Sequence, residues 1–148
     1  MANELKTKIA IVVKGEHYAL DALKVRNILE VSKITYVPNT KEFMLGIINL
    51  HGNIIPVADF GTILGKGAIE IGKESAILVI SSDESLESQI GFLVDEVNEV
   101  FEVKTEQVKP SIIIDGEGFV RSFEGTIQRE GDFVQLIDID SLITELEK

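Results

Sequence analysis

Cysteine is missing from all 148 residues, which excludes disulfides, a thiolate nucleophile and a thiolate-bound metal. Histidine is nearly as scarce: His17 and His51 are the whole supply, and neither lies in a motif with metal-ligand spacing. His51 stands in a turn and reads as a surface residue, so no metal and no other cofactor is expected. No apolar run approaches the roughly 20 residues that span a bilayer, and Met1 to Lys6 lack the basic-then-apolar pattern of a signal peptide. The expected compartment is the cytoplasm, without direct membrane insertion. Positive charge is also short: 14 Lys and Arg face 25 Asp and Glu, a net charge of −11 that repels phosphate backbones over most of the molecule. No nucleic-acid partner is expected.

Catalytic motifs are equally thin. No Gly-x-Ser-x-Gly elbow occurs, and Gly61, Gly65, Lys66 and Gly67 have neither the spacing of a phosphate loop nor the Ser or Thr that follows it. Asp138 and Asp140 form a D-x-D pair before a helix, where capping explains them better than cation binding. The expectation is a protein with no catalytic residues. At 45% hydrophobic residues, the chain can still bury a substantial core, as one domain or two small lobes.

What is present is a duplication. Gly46-Ile-Ile-Asn-Leu-His-Gly-Asn-Ile-Ile-Pro-Val-Ala-Asp59 returns as Gly125-Thr-Ile-Gln-Arg-Glu-Gly-Asp-Phe-Val-Gln-Leu-Ile-Asp138, one apolar frame with different polar residues. In both copies a Gly followed by Asn or Asp (Gly52-Asn53, Gly131-Asp132) predicts a tight hairpin turn between apolar strands. Upstream, Val25 to Val31 and Pro38 match Val97 to Val103 and Pro110 at the same spacing. The second copy carries an insertion, Ser111 to Glu124. Asp59 and Asp138 are equivalent and should share one structural task.

Strands dominate the remaining pattern. Lys6 to Val13 and His17 to Leu20 flank a turn at Lys14-Gly15-Glu16; Asp21 to Leu23 reads as a brief helical turn before the strand Val25 to Val31. Ile34 to Val37 is extended, Thr40 is a plausible N-cap for the turn before Phe43, and Asp59 caps Phe60 to Leu64. Gly65 to Lys73 reads as the lobe-to-lobe linker, although Ile69 and Ile71 are not typical of a solvated tether. Ala76 to Ile80 is apolar on both faces and so deeply buried, and Asp140 suits the N-cap of a final helix burying Leu142, Ile143 and Leu146. Short strands with Gly-rich turns predict an all-β, barrel-like fold with few short helices.

Leu45 to Asp59, together with His17-Tyr-Ala-Leu-Asp21, Ile34-Thr-Tyr-Val-Pro38, Gly91-Phe-Leu-Val-Asp-Glu-Val97 and Leu136-Ile-Asp-Ile-Asp140, resembles the CheW family of bacterial chemotaxis coupling proteins. The resemblance runs from about Leu5 to Leu146. It implies a single CheW-like domain over residues 1–148, made of two pseudo-symmetric, five-stranded SH3-like barrels. Approximate lobes are 14–72 and 73–148, with the N-terminal strand 5–13 crossing to the second. It also implies a stand-alone adaptor joining the cytoplasmic tip of methyl-accepting chemoreceptors to the regulatory domain of the histidine kinase CheA, recruited to membrane receptor arrays. The family's receptor-binding groove maps to Ala22, Val25, Ile28, Val97 and Val100; the kinase-coupling positions map to Asn27, Ile48, His51 and Gly52. Where the family signature has Arg this chain has His51, and where a strand Glu often faces that Arg it has Asn27. Replacing both avoids an unpaired charge, and the expectation is that Asn27 hydrogen-bonds His51. The chain then reads as a divergent paralogue, tuned to a particular partner or serving another chemosensory pathway. Two other classes compete: a β-barrel enzyme using the aspartates, and a small-ligand-binding barrel with a cavity between its lobes.

Overall fold

The computed structural model describes residues 4–31, 33–38, 41–81, 89–110 and 123–146. Most of the insertion (111–122) and the proposed cap Thr40 therefore lie outside the described residues. The strands are β1 (Leu5–Val13), β2 (Glu16–Asp21), β3 (Val25–Glu30), β4 (Thr35–Tyr36), β5 (Met44–Leu50), β6 (Asn53–Asp59), β7 (Ala76–Ser81), β8 (Gln89–Val94), β9 (Glu96–Lys104), β10 (Phe123–Arg129) and β11 (Asp132–Ile137). Two short α-helices follow the duplicated hairpins: α1 (Phe60–Ile63) after β6 and α2 (Ile139–Leu146) after β11.

They form two sheets, ordered β3-β7-β8-β6-β5-β4 and β10-β11-β2-β1-β9. β3 and β4 belong to one bent segment, whose far end returns to pair Thr35 with Ile47 of β5. The second sheet repeats the device, as a bridge from Lys109 to Thr126 brings the segment after β9 back onto β10. Counted by such segments, each sheet has five members and curls toward a barrel.

Chain order and sheet membership do not coincide. Each half of the chain is a hairpin followed by a three-segment unit, and the halves exchange hairpins. β1 and β2 join β9 to β11, while β7 and β8 join β3 to β6, each exchange sealed by a parallel pair, β11 with β2 and β6 with β8. This corrects the lobe limits 14–72 and 73–148. The presumed linker Gly65 to Lys73 joins two elements of one sheet; the chain passes between sheets at Asp21–Val25 and again at Asp95. Ile69 in that segment is buried, and its N–H donates to Asp59 Oδ2 at 3.0 Å.

The duplicated frame reproduces backbone detail. A register shift falls between Met44 and Gly46 on β5 and between Phe123 and Gly125 on β10. At each glycine a Cβ would collide with a carbonyl oxygen, that of Thr35 or of Lys109, so Gly is what lets the returning segment close the sheet. The turns sit one residue earlier than the Gly-Asn and Gly-Asp dipeptides implied. Their corner residues are His51-Gly52 (φ 53° and 86°) and Glu130-Gly131 (φ 52° and 86°), and Lys14-Gly15 is alike. A two-residue hairpin needs positive φ at both corners, and the residue before Gly takes the first.

One main core spans both sheets: Ile9, Ile11, Tyr18 and Leu20 of the second with Val57, Leu78, Ile80 and Phe92 of the first, joined by Phe60 and by Leu142, Ile143 and Leu146 of α2. A smaller core of Ala19, Val103, Ile127, Val134 and Leu136 fills the second sheet. At about 1.5–3 kcal/mol per fully buried large apolar side chain, the shared core makes the two sheets one cooperative unit.

Candidate docking surface

β3 and β9 are repeat-equivalent, and among the described residues each stands at an end of its sheet. On a regular strand, residues three apart point to opposite faces. Both strands escape this rule by a bulge. Val25 pairs with Ile80 and Ile28 with Leu78, two apart on β7, because the register shifts between Val25 and Asn27. Likewise Val97 pairs with Ile11 and Val100 with Ile9, because the register shifts between Ile9 and Ile11. Val25 and Ile28 therefore share one face, as do Val97 and Val100, and their partners all belong to the core between the sheets. Val25 and Val97 are half-buried against that core, whereas Ile28 (51% exposed) and Val100 (57%) project into solvent.

Ala22 completes the set. It opens the 3-10 turn Ala22–Lys24, where Asp21 accepts the Leu23 N–H at 2.9 Å and turns the chain from β2 into β3. That turn packs against β1, the strand that carries β9 on its edge. Ala22 and Val97 thus lie beside β1, Val25 follows the turn and packs on the shared core from β3, and Ile28 and Val100 are exposed.

The first hairpin sorts differently. Gly52 donates its N–H to Asn49 Oδ1 at 2.9 Å, tightening the turn and leaving His51 and Gly52 exposed at its tip. Ile48, expected as a docking residue, is 6% exposed and pairs with buried Ile55 inside the core. The outward apolar residue is Ile54, 60% exposed and opposite Asn49. Nor do Asn27 and His51 hydrogen-bond: Asn27 lies on β3, separated from β5 in the sheet by β7, β8 and β6.

The aspartates are occupied structurally. Asp59, 2% exposed, accepts the Thr62 N–H at 3.1 Å as N-cap of α1. Asp138 accepts the Ser141 N–H at 3.2 Å and its hydroxyl at 2.9 Å, capping α2; Asp140, expected as the cap, lies in the first turn and faces Lys24 at 3.6 Å. Among the described residues no group of three His, Asp or Glu side chains could hold a metal, and no helix is long and apolar enough to cross a membrane. A cavity of about 400 Å³, lined by Phe101, Val103, Lys109, Thr126, Arg129 and Phe133, belongs to the second sheet and not to the space between the two.

Polar contacts hold the two units together at the β1–β2 tip. The Lys14 N–H donates to Asp95 Oδ2 at 2.6 Å, and Lys66 reaches Glu16 at 3.2 Å across the sheets. Burial pulls the Glu16 carboxyl upward, but the Tyr18 hydroxyl at 2.9 Å and Lys66 outweigh it and hold the group below its ordinary range. Burial, then the Glu16 charge, push the Tyr18 phenol well above its usual value.

A twinned β module whose aspartates serve as caps and clasps, and which presents exposed apolar side chains such as Ile28, Ile54 and Val100 on its strands, is built as a scaffold for docking. Residues 9–147 match the CheW-like domain, and the chain belongs to that family. It is 33% identical over 138 residues to the chemotaxis protein CheW of Thermotoga maritima, covering 93% of this chain and 87% of that protein. The chemotaxis protein CheW of Rhizobium meliloti is 29% identical, with 100% and 94% covered. Among solved structures, the scaffolding protein TtCheW of Thermoanaerobacter tengcongensis superimposes with a TM-score of 0.79 at 29% identity, covering 94% of this chain and 88% of that one.

Proposed function

We propose that this chain is a non-catalytic chemosensory adaptor, which couples the cytoplasmic tip of methyl-accepting receptors to the regulatory domain of the histidine kinase CheA. It acts in the cytoplasm, at membrane receptor arrays. The observation that carries the reading is the pair of bulges that set Val25 with Ile28 and Val97 with Val100 on equivalent faces beside the inter-sheet core. Relatives matched along nearly the whole chain are named chemotaxis proteins, which supports the same pathway. The receptor helix lies on Ala22, Val25, Ile28, Val97 and Val100. The kinase barrel docks on the first hairpin, where Ile54 replaces Ile48 as the apolar contact beside His51 and Gly52. Such an adaptor biases an activity that belongs to its partner.

Calorimetric titration with the kinase regulatory domain tests the kinase arm. Saturable binding, weakened by Ile54→Asp and by His51→Ala, is expected; no binding to any such domain would refute it. His51 and Asn27 carry a second reading, a scaffold for a different chemosensory pathway. A His51→Arg, Asn27→Glu variant with unchanged partner choice would remove it.

A further inference from the structure

The two copies of the frame diverge around the cavity of about 400 Å³ in the second sheet, a volume that suits a small organic ligand. Lys109 stands in register with Val37 and Arg129 with Leu50, so two aliphatic positions of the first copy become cations. Phe101 answers Leu29 and Phe133 answers Ile54, so two more become aromatic. Buried Val103 and Ile127 supply an apolar wall beside them. Lys109 is fixed by its backbone, which exchanges hydrogen bonds with Thr126 at 2.9 and 2.8 Å, and its ammonium makes no ion pair among the described residues. The Arg129 guanidinium lies over the Phe101 ring, 4.1 Å from its centre. Its Nη2 pairs with Glu99 at 2.7 Å, which leaves the other donors of the fork for a ligand. Of carboxylates, the described lining holds Glu102 alone, exposed, with Lys104 two residues along the same face of β9. Glu99, Glu130 and Asp132 line a separate cavity of about 190 Å³, which Arg129 also borders.

We infer that this cavity is a binding site for a planar aromatic carboxylate. The ring packs on Phe133, Val103 and Ile127, and the carboxylate accepts from Lys109 and Arg129. Gln107 adds a neutral donor: its amide oxygen accepts the Lys104 N–H at 2.8 Å, which keeps the amide NH2 group for the ligand. A cationic ligand is disfavoured, because the Phe101 face on which it would stack already carries Arg129. Inorganic phosphate gains nothing from the apolar wall. Charge-assisted hydrogen bonds thus select the anion, and the wall selects the ring. The lining shares no residue with the receptor and kinase faces proposed above, so this site and the docking role stand or fall separately.

The test is a titration of the full chain with naphthoate, followed by NMR of the Val103 and Ile127 methyl groups, with naphthalenemethanol as the neutral analogue. Saturable displacement of both sets of signals is expected, with the acid binding more tightly than the alcohol. Lys109→Val and Arg129→Leu install the residues of the first copy and should each weaken naphthoate about tenfold while leaving the alcohol unchanged. Phe133→Ala changes a side chain that is 58% exposed, so the fold survives, and it should weaken both ligands. No saturable displacement, an alcohol that binds as tightly as the acid, or naphthoate binding untouched by both charge variants would overturn the inference.

Discussion

Replacing Asp59 by Ala should destabilise the protein far more than replacing its repeat-equivalent, Asp138. Asp59 is 2% exposed and answers two backbone donors, Thr62 N–H at 3.1 Å and Ile69 N–H at 3.0 Å. Loss of an N-cap costs about 1 kcal/mol. Stranding the Ile69 donor, a buried bond, adds about 1–3 kcal/mol. The sum is about 2–4 kcal/mol, which for a chain of this size lowers Tm by roughly 5–15 °C. Asp138 caps an exposed turn with bonds to Ser141 alone, and its removal should cost about 0.5–1 kcal/mol. Asp59→Asn, which retains an acceptor for one donor only, should fall between. Urea unfolding of the three variants, followed by circular dichroism, measures the differences at common slope. Equal losses for Asp59→Ala and Asp138→Ala, within about 0.5 kcal/mol, would refute the assignment of Asp59 as a clasp between α1 and the segment around Ile69.

The exchanged hairpins predict that residues 1–70 and 71–148, expressed separately, stay unfolded and reconstitute a folded complex when mixed, as read by circular dichroism. A folded fragment on its own would contradict the topology. Because the folded pKa of Glu16 lies below its value of 4.5 in the free chain, the carboxylate contributes stability above that pH and loses it as pH falls through the folded value. Glu16→Gln should therefore shrink the loss of Tm between neutral pH and pH 3, and an unchanged acid limb would exclude the Tyr18–Glu16–Lys66 clasp. Ile48→Asp forces a charge into the core and should unfold the protein, whereas Ile54→Asp should leave its melting within about 1 °C, the range of a neutral surface change.

Much of this molecule is legible in its residues. The duplicated Gly-to-Asp frame announces two equivalent hairpins, and the equivalence of Asp59 and Asp138 announces a common task, found in the caps. The exchange of hairpins is not legible. The parallel pairs β6–β8 and β11–β2 join strands distant in sequence, and short apolar strands carry no local mark of which sheet they enter. The bulges are hidden for a related reason: Val25 and Ile28, or Val97 and Val100, occupy opposite faces by strand periodicity until one inserted residue reverses the alternation. The same alternation explains Ile48. Ile47, Ile48, Ile54 and Ile55 offer an apolar residue to either face, so the residues themselves do not tell which pair is inside: Ile48 with Ile55 is buried, and Ile54, opposite Asn49, is outside.

The most direct test of the adaptor role is analytical ultracentrifugation of the protein with a receptor cytoplasmic tip and the CheA regulatory domain present together. A single ternary species is expected, with Val97→Asp, Val100→Asp losing only the receptor and Ile54→Asp losing only the kinase. Mutually exclusive binding, or both partners lost together from a variant that remains folded, would contradict two separate docking faces on one rigid twin-sheet scaffold.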